Sequence, residues 1–180
     1  MSNRYRYINE FFKLRCSGDL VGFFSNAKEV TESMAAFNAV RSYVIGDGGL
    51  RFDDPGVNLI CVGDGTKPRT AALFALRTKW DCYSIDPALA RSSANGIERL
   101  HIRPYPVETM RLDFTNPTVI VAVHSHAHLS LVLGTIRGNP RHLVVIPCCI
   151  PQEIPGKPYI GYQDTNIWSP KNTVKVWTNI

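Results

Sequence analysis

The sequence predicts an α/β fold: a mostly parallel sheet with helices on both faces, three layers in all, closed by a C-terminal antiparallel hairpin. Three observations predict it. Apolar runs of strand length, Val57–Val62, Thr118–Val123 and Leu143–Ile146, have the unbroken character of strands buried on both faces. Segments with helical spacing alternate with them, which is the order of a parallel α/β sheet. Two β-rich segments at the end, Gln163–Trp168 and Thr173–Thr178, flank a Ser169-Pro170-Lys171-Asn172 turn and read as a hairpin.

The chain of 180 residues suits one domain over 1–180, with a helical arm at 1–50 and a sheet core at 57–180. Residues 3–15 read as a short helix ended near Ser17-Gly18, and Asp19 as the start of a brief second one reaching Phe24. Ala27–Val44 has amphipathic spacing through Val30, Met34, Phe37, Val40 and Val44. Ser25 or Asn26 is placed to cap it, with Glu29 in its first turn. Asp53-Asp54-Pro55-Gly56 turns the chain into the first strand. Lys67–Thr78 carries an apolar helical face, and Trp80–Ile85 is the second strand. Leu100–Val107 alternates as a third strand, which Pro104 and Pro106 assign to an edge. Ala127–Arg137 is a helix stopped by Gly138-Asn139-Pro140, and Pro147–Pro158 is too proline-rich for regular structure. The helices thin out around the third and fifth strands, so one face is expected to be lightly covered and to favour a partner subunit or a homodimer.

Hydrophobic residues make up 44% of the chain and charged residues 19%, which excludes a disordered protein. The net charge of +5 permits an anionic partner such as RNA, and equally a solvated basic surface. Arg4, Arg6, Lys13 and Arg15 alternate with Tyr5, Tyr7, Phe11 and Phe12, as in a nucleic-acid contact or an amphipathic docking helix. No apolar segment reaches the ~20 residues of a membrane span, and no signal peptide is read. Five scattered cysteines fit thiols in a reducing, cytoplasmic setting.

The chemistry concentrates at strand ends. Ile60-Cys61-Val62-Gly63-Asp64-Gly65-Thr66 reads as strand and glycine turn, and Ser84-Ile85-Asp86 closes the next strand on an acid about twenty residues later. This is how a βαβ unit holds an adenosine-containing cofactor: glycines let the backbone approach, and the carboxylate accepts from the ribose hydroxyls. His124 and His126, after the fourth long strand, are candidate bases, and equally candidate helix caps or partners for a loop carbonyl. Cys148 and Cys149 are candidate nucleophiles or small buried packing groups. Trp168, Trp177, Tyr159 and Tyr162 are candidates for an acceptor pocket or for hairpin packing. The His124-x-His126-x-His128 spacing invites a metal reading, but His128 falls in the following helix and no Cys-x-x-Cys pair supports it. No metal site is expected.

Taken together, residues 57–180 resemble a class I, Rossmann-like S-adenosylmethionine-dependent methyltransferase. The resemblance implies a three-layer Rossmann-like methyltransferase sheet with trimmed helices, and the terminal hairpin separates it from ordinary dinucleotide-binding folds. It implies S-adenosylmethionine as cofactor, held by Cys61, Gly63, Asp64, Gly65, Asp86, Glu108 and His124, with Glu108 or Met110 facing the adenine. His124, His126 and Cys148 are its implied catalytic residues. The segments Val121–His128 and Val145–Cys149 look like one methyltransferase-like subgroup, which carries Pro-Cys-Cys after the fifth strand. Many family members have an acid at Cys61 and a third glycine at Lys67, and the subgroup's His-Ala-Cys-Gly is here His124-Ser125-His126-Ala127. The expected function is therefore methyl transfer to an unidentified acceptor, with RNA among the candidates. The alternative is a non-catalytic cofactor-binding or scaffold subunit.

Overall fold

Alternation along each strand sorts the side chains onto two faces, and that sorting builds the molecule. A computed structural model describes residues 4–46, 49–91, 96–148 and 156–180. The strands are β1 (Asn58–Val62), β2 (Asp81–Ile85), β3 (Leu100–Arg103), β4 (Leu112–Asp113), β5 (Thr118–Val123), β6 (Ile136–Arg137), β7 (Arg141–Ile146), β8 (Ile160–Gln163) and β9 (Thr173–Thr178). Seven of them form one sheet in the order β3-β2-β1-β5-β7-β9-β8. The first five of that order run parallel. Strand β9 lies antiparallel between β7 and β8. The result is the α/β fold, mostly parallel with a C-terminal antiparallel hairpin, in a Rossmann-like layout.

Leu59, Cys61, Val119, Val121, Val144 and Ile146 face one side, against α1 (Arg6–Phe12), α2 (Ser17–Val21), α3 (Ala27–Ala39) and α4 (Arg69–Arg77). Ile60, Val62, Ile120, Ala122, Leu143 and Val145 face the other, against α5 (Leu129–Thr135), Val107 and Trp177. The second face carries the smaller core and fewer helices. Helix α3 is seated at the centre of the first face, with Val30 through Ala39 all buried. Asn26 caps it: its Oδ1 accepts from Glu29 N at 3.0 Å, while Glu29 Oε2 accepts from Ser25 N at 2.8 Å. Among the described residues, no helix is long and apolar enough to cross a membrane.

Several expected boundaries shift. The first hairpin strand is Ile160–Gln163, not Gln163–Trp168. The register ends at Gln163 opposite Thr173, and Asp164 N then donates to Asn172 O, closing a loop that sends Ile167 into the core. The helix expected at Ala127–Arg137 starts at Leu129 and stops at Thr135, because Ile136–Arg137 pairs with Leu112–Asp113 as a second, two-stranded sheet. The helix expected through Val44 is α-helical only to Ala39 and continues as a wider π turn, Val40–Ile45. Strand β3 ends at Arg103, and a 3-10 turn occupies Val107–Thr109.

Candidate functional site

The chain runs from β1 outward to β2 and β3, then crosses back to β5 and β7 on the other side of β1. Such a reversal opens a crevice beyond the carboxyl ends of the central strands, where ligands of open α/β sheets bind. A pocket of about 220 Å³ lies there, lined by Val62, Gly63, Ile85, Asp86, Pro87, Pro106, Val107, Glu108, Ser125, His126 and Ala127. Its walls are mostly apolar, and its polar side chains are Asp86 after β2, Glu108 on the 3-10 turn, and Ser125 and His126 after β5.

The glycine turn is built by two left-handed residues, Gly63 at φ +79° and Gly65 at φ +80°. At Gly63 the loop after β5 comes so close that a Cβ would meet Ser125 Oγ at 2.4 Å. Between the glycines, Asp64 turns inward. Its oxygens accept from Thr70 N and Ala71 N, each at 3.1 Å, and from Ser84 Oγ at 3.0 Å. These two amides are orphan donors of the first turn of α4, so Asp64 does the capping that Pro68 cannot. Burial pushes its carboxyl above the usual range, and the hydrogen bonds and the nearby Arg69 charge oppose that rise. Cys61 likewise faces the core, at 2% exposure on the α3–α4 side, and burial pushes its thiol well up.

Asp86 meets the pocket. Its Oδ2 accepts from Gly65 N at 2.9 Å and its Oδ1 from Ala88 N at 2.8 Å. A carboxylate has about four acceptor sites, so two further donors can be taken by a group that is already oriented. Glu108, on the Val107–Thr109 turn, also lines the pocket, whereas Met110 packs against the core beneath it.

The three candidate catalytic residues separate. His126 is exposed and lines the pocket. His124 turns the other way. Its backbone adopts φ +50°, its N donates to Ile146 O at 2.8 Å, and its Nε2 lies 3.0 Å from Glu32 Oε1 on α3. Cys148 Sγ donates to Ser125 O at 3.6 Å. Cys149 and most of the proline-rich stretch lie outside the described residues. Trp177 is buried, Tyr162 packs against the Tyr43 ring, Tyr159 is exposed, and Trp168 Nε1 donates to Arg4 O at 2.7 Å. Of the basic and aromatic residues near the N-terminus, Tyr7 and Phe11 are buried, while Arg4, Arg6, Lys13 and Arg15 are exposed. Among the described residues, no three His, Cys, Asp or Glu side chains gather as a metal site would need.

Glu32 was not singled out from sequence. Its signal is a lone acid inside Thr31–Ala39, a run of small and apolar residues without another charge.

No protein-family model and no curated protein matches this chain. Fold and site together define a Rossmann-like α/β domain with a pocket at the reversal of its strand order.

Proposed function

We propose that this chain binds S-adenosylmethionine at the carboxyl ends of β1, β2 and β5 and transfers its methyl group to an acceptor. The observation that carries the reading is Asp86: a carboxylate fixed by two backbone amides, with acceptor sites to spare, at the rim of a mostly apolar pocket beside a two-glycine turn. A nucleoside presents that complementary surface, a flat apolar base with two adjacent hydroxyls. The C-terminal hairpin, with β9 reversed between β7 and β8, adds support through the resemblance of the sequence to class I methyltransferases.

The residues present fit the group. Asp86 would accept from the ribose hydroxyls, Val107 and Pro106 would flank the base, and Glu108 would meet its polar edge. When bound, S-adenosylmethionine supplies an electrophilic methyl carbon on a sulfonium. The chain contributes orientation and a proton acceptor. His126 is exposed at the pocket, where an imidazole nitrogen can serve as that acceptor. RNA stays among the acceptors because Arg4, Arg6, Lys13 and Arg15 are exposed near the N-terminus.

A second reading, a non-catalytic cofactor-binding subunit, is favoured by the engagement of two candidate catalytic groups: His124 with Glu32, and Cys148 with the Ser125 carbonyl.

Titration calorimetry with S-adenosylmethionine and S-adenosylhomocysteine tests the proposal. Binding is expected, and Asp86→Ala should weaken it by about 1–3 kcal/mol, the worth of hydrogen bonds to a charged acceptor. No binding of either compound at millimolar concentration overturns the proposal, and an unchanged affinity in Asp86→Ala overturns the ribose assignment. Binding without methyl transfer to any RNA or protein fraction selects the second reading.

A further inference from the structure

Helix α1 lies against α3 on the first face of the sheet, and the seam between them is open. A cleft of about 290 Å³ has Arg41, Ser42 and Tyr43 of the π turn on one wall and Tyr162 of β8 on the other. A second, of about 250 Å³, is lined by Lys13, Leu14, Met34, Phe37 and Arg77. Asn38 and Arg41 belong to the walls of both, so the two run on as one groove. Tyr7, Met34 and Phe37 in its walls belong to the first core, whereas Val62, Ile85 and Val107 of the strand-end pocket belong to the second. Groove and pocket therefore lie on opposite faces of the sheet.

Positive charge is in surplus along the groove. Arg6, Lys13, Arg41 and Arg77 line it, and all four are exposed. Its acids are Glu10 and Asp164, and both are engaged from within the chain. Glu10 accepts from Arg6 Nε at 2.8 Å and from Asn38 Nδ2 at 3.1 Å. Asp164 accepts from the Tyr7 hydroxyl and, at 2.8 Å, from Asn166 Nδ2. Among the described residues, Lys13, Arg41 and Arg77 have no ion-pair partner. Lys13 and Arg77 stand at the ends of α1 and α4, where a cation complements the helix dipole. The dipoles account for a cation at each helix end, and not for three cations converging on one cleft. Like charges held together repel, and a bound polyanion relieves that repulsion.

We infer that the groove between α1 and α3 binds single-stranded nucleic acid. The guanidinium fork matches phosphate oxygens, and three of the four cations are arginines. Tyr43 and Tyr162, half-buried with ring centroids 5.9 Å apart, stand in the same groove, where a base can stack. An acidic peptide would meet the cations and leave the rings unused. A groove, unlike a flat basic face, takes one strand with its bases turned inward. The inference does not rest on methyl transfer, since the groove and the strand-end pocket share no residue.

The test is fluorescence anisotropy of the full chain, without cofactor, with a labelled oligouridine of about twelve nucleotides, at salt from about 50 to about 200 mM. Contacts of Lys13, Arg41 and Arg77 with phosphates should give a slope of log K against log salt of about −2, at about 0.7 for each contact. Arg41→Ala combined with Arg77→Ala should weaken binding about tenfold or more and flatten the slope by about 1.4. Arg111→Ala combined with Arg137→Ala removes the same charge at the two-stranded sheet on the other face, and should leave affinity and slope as in wild type. No binding by wild type at the lowest salt, or equal losses in the two double variants, overturns the inference. Polyglutamate that displaces the probe at a lower concentration than unlabelled oligouridine also overturns it, and assigns the groove to an acidic peptide. If the groove variant fails to fold, photo-crosslinking of wild type to a thiouridine-containing strand decides. Adducts on Tyr43, Tyr162 or their groove neighbours are expected, and adducts only outside the groove overturn the inference. The two readings fail separately: absence of S-adenosylmethionine binding would leave these outcomes unchanged, and absence of oligouridine binding would leave the pocket reading unchanged.

Discussion

At Gly63 two constraints coincide, and they can be measured apart. Its φ of +79° alone costs a side-chain-bearing residue about 1–2 kcal/mol. In addition, a Cβ there would stand 2.4 Å from Ser125 Oγ and 3.0 Å from Ser125 Cα, so the loop after β5 must shift. Gly65 has the same conformation at φ +80°, but the nearest atom to its Cβ is the far end of the Arg69 side chain at 3.5 Å, an ordinary contact. Gly65→Ala should therefore show the conformational cost only. Gly63→Ala should add about 1–3 kcal/mol of overpacking, read as a lower urea midpoint. Equal losses would mean that Ser125 yields freely and that the close approach is not a constraint. Asp64, between them, illustrates why residue roles were only partly legible. A carboxylate in a glycine turn has the same sequence signature whether it faces a ligand or the helix that follows. What decides is that Pro68 leaves the first turn of α4 without a side-chain cap, and Asp64 fills that need. Asp86 is two residues past Ser84, on the far side of the strand end, and meets the pocket instead.

At the scale of elements, α3 fills the centre of the first face of the sheet and carries Glu32 to within 3.0 Å of His124. Its start is fixed by reciprocal bonds: Asn26 Oδ1 to Glu29 N, and Glu29 Oε2 to Ser25 N, with Arg69 Nη1 3.3 Å from Glu29 Oε1. Asn26→Ala should cost about 1 kcal/mol, and Asn26→Asp should restore it, by thermal or urea unfolding. Loss of stability in both variants would show that the amide nitrogen, not the Oδ1 acceptor, was needed. The cap was legible because Ser/Asn followed by Glu is local chemistry. The long strands were legible for the same reason: Thr118–Val123 is apolar without interruption and is the observed β5. Two of the misplaced elements were set by pairing partners outside their own segment. Ile136–Arg137 leaves the helical path to pair with Leu112–Asp113. Strand β8 starts at Ile160 because its register is dictated by β9, and Trp168 leaves it because its backbone N bonds Thr31 Oγ1 on α3. For the π turn at Val40–Ile45, nothing in the local sequence sets it apart from an ordinary helix end.

For the molecule as a whole, three unbroken apolar runs foretold strands buried on both faces, and the sheet they build also holds a histidine where water does not reach. His142, in β7, is fully buried, and among the described residues neither ring nitrogen has a hydrogen-bond partner. Burial lowers its pKa from the ordinary value of 6.5. The sign follows from linkage. Between the lowered folded value and 6.5, the unfolded chain binds a proton that the folded chain refuses, so stability rises with pH across that window. The contribution of His142 is fully present above about pH 6.5 and is lost as pH falls toward its folded value, at a slope of up to about 1.4 kcal/mol per pH unit. Glu32 also carries a lowered pKa, but its contribution is lost only below the ordinary carboxyl value of 4.5. Urea unfolding between pH 7.5 and 5.5 therefore separates the two. Wild type should lose stability across that range, and His142→Phe, which fills similar space without a titrating ring, should lose less of it. The difference between the two slopes is the share of His142. Identical slopes would mean that the folded chain accepts the proton at His142, and that the sheet opens to water there more easily than its burial implies.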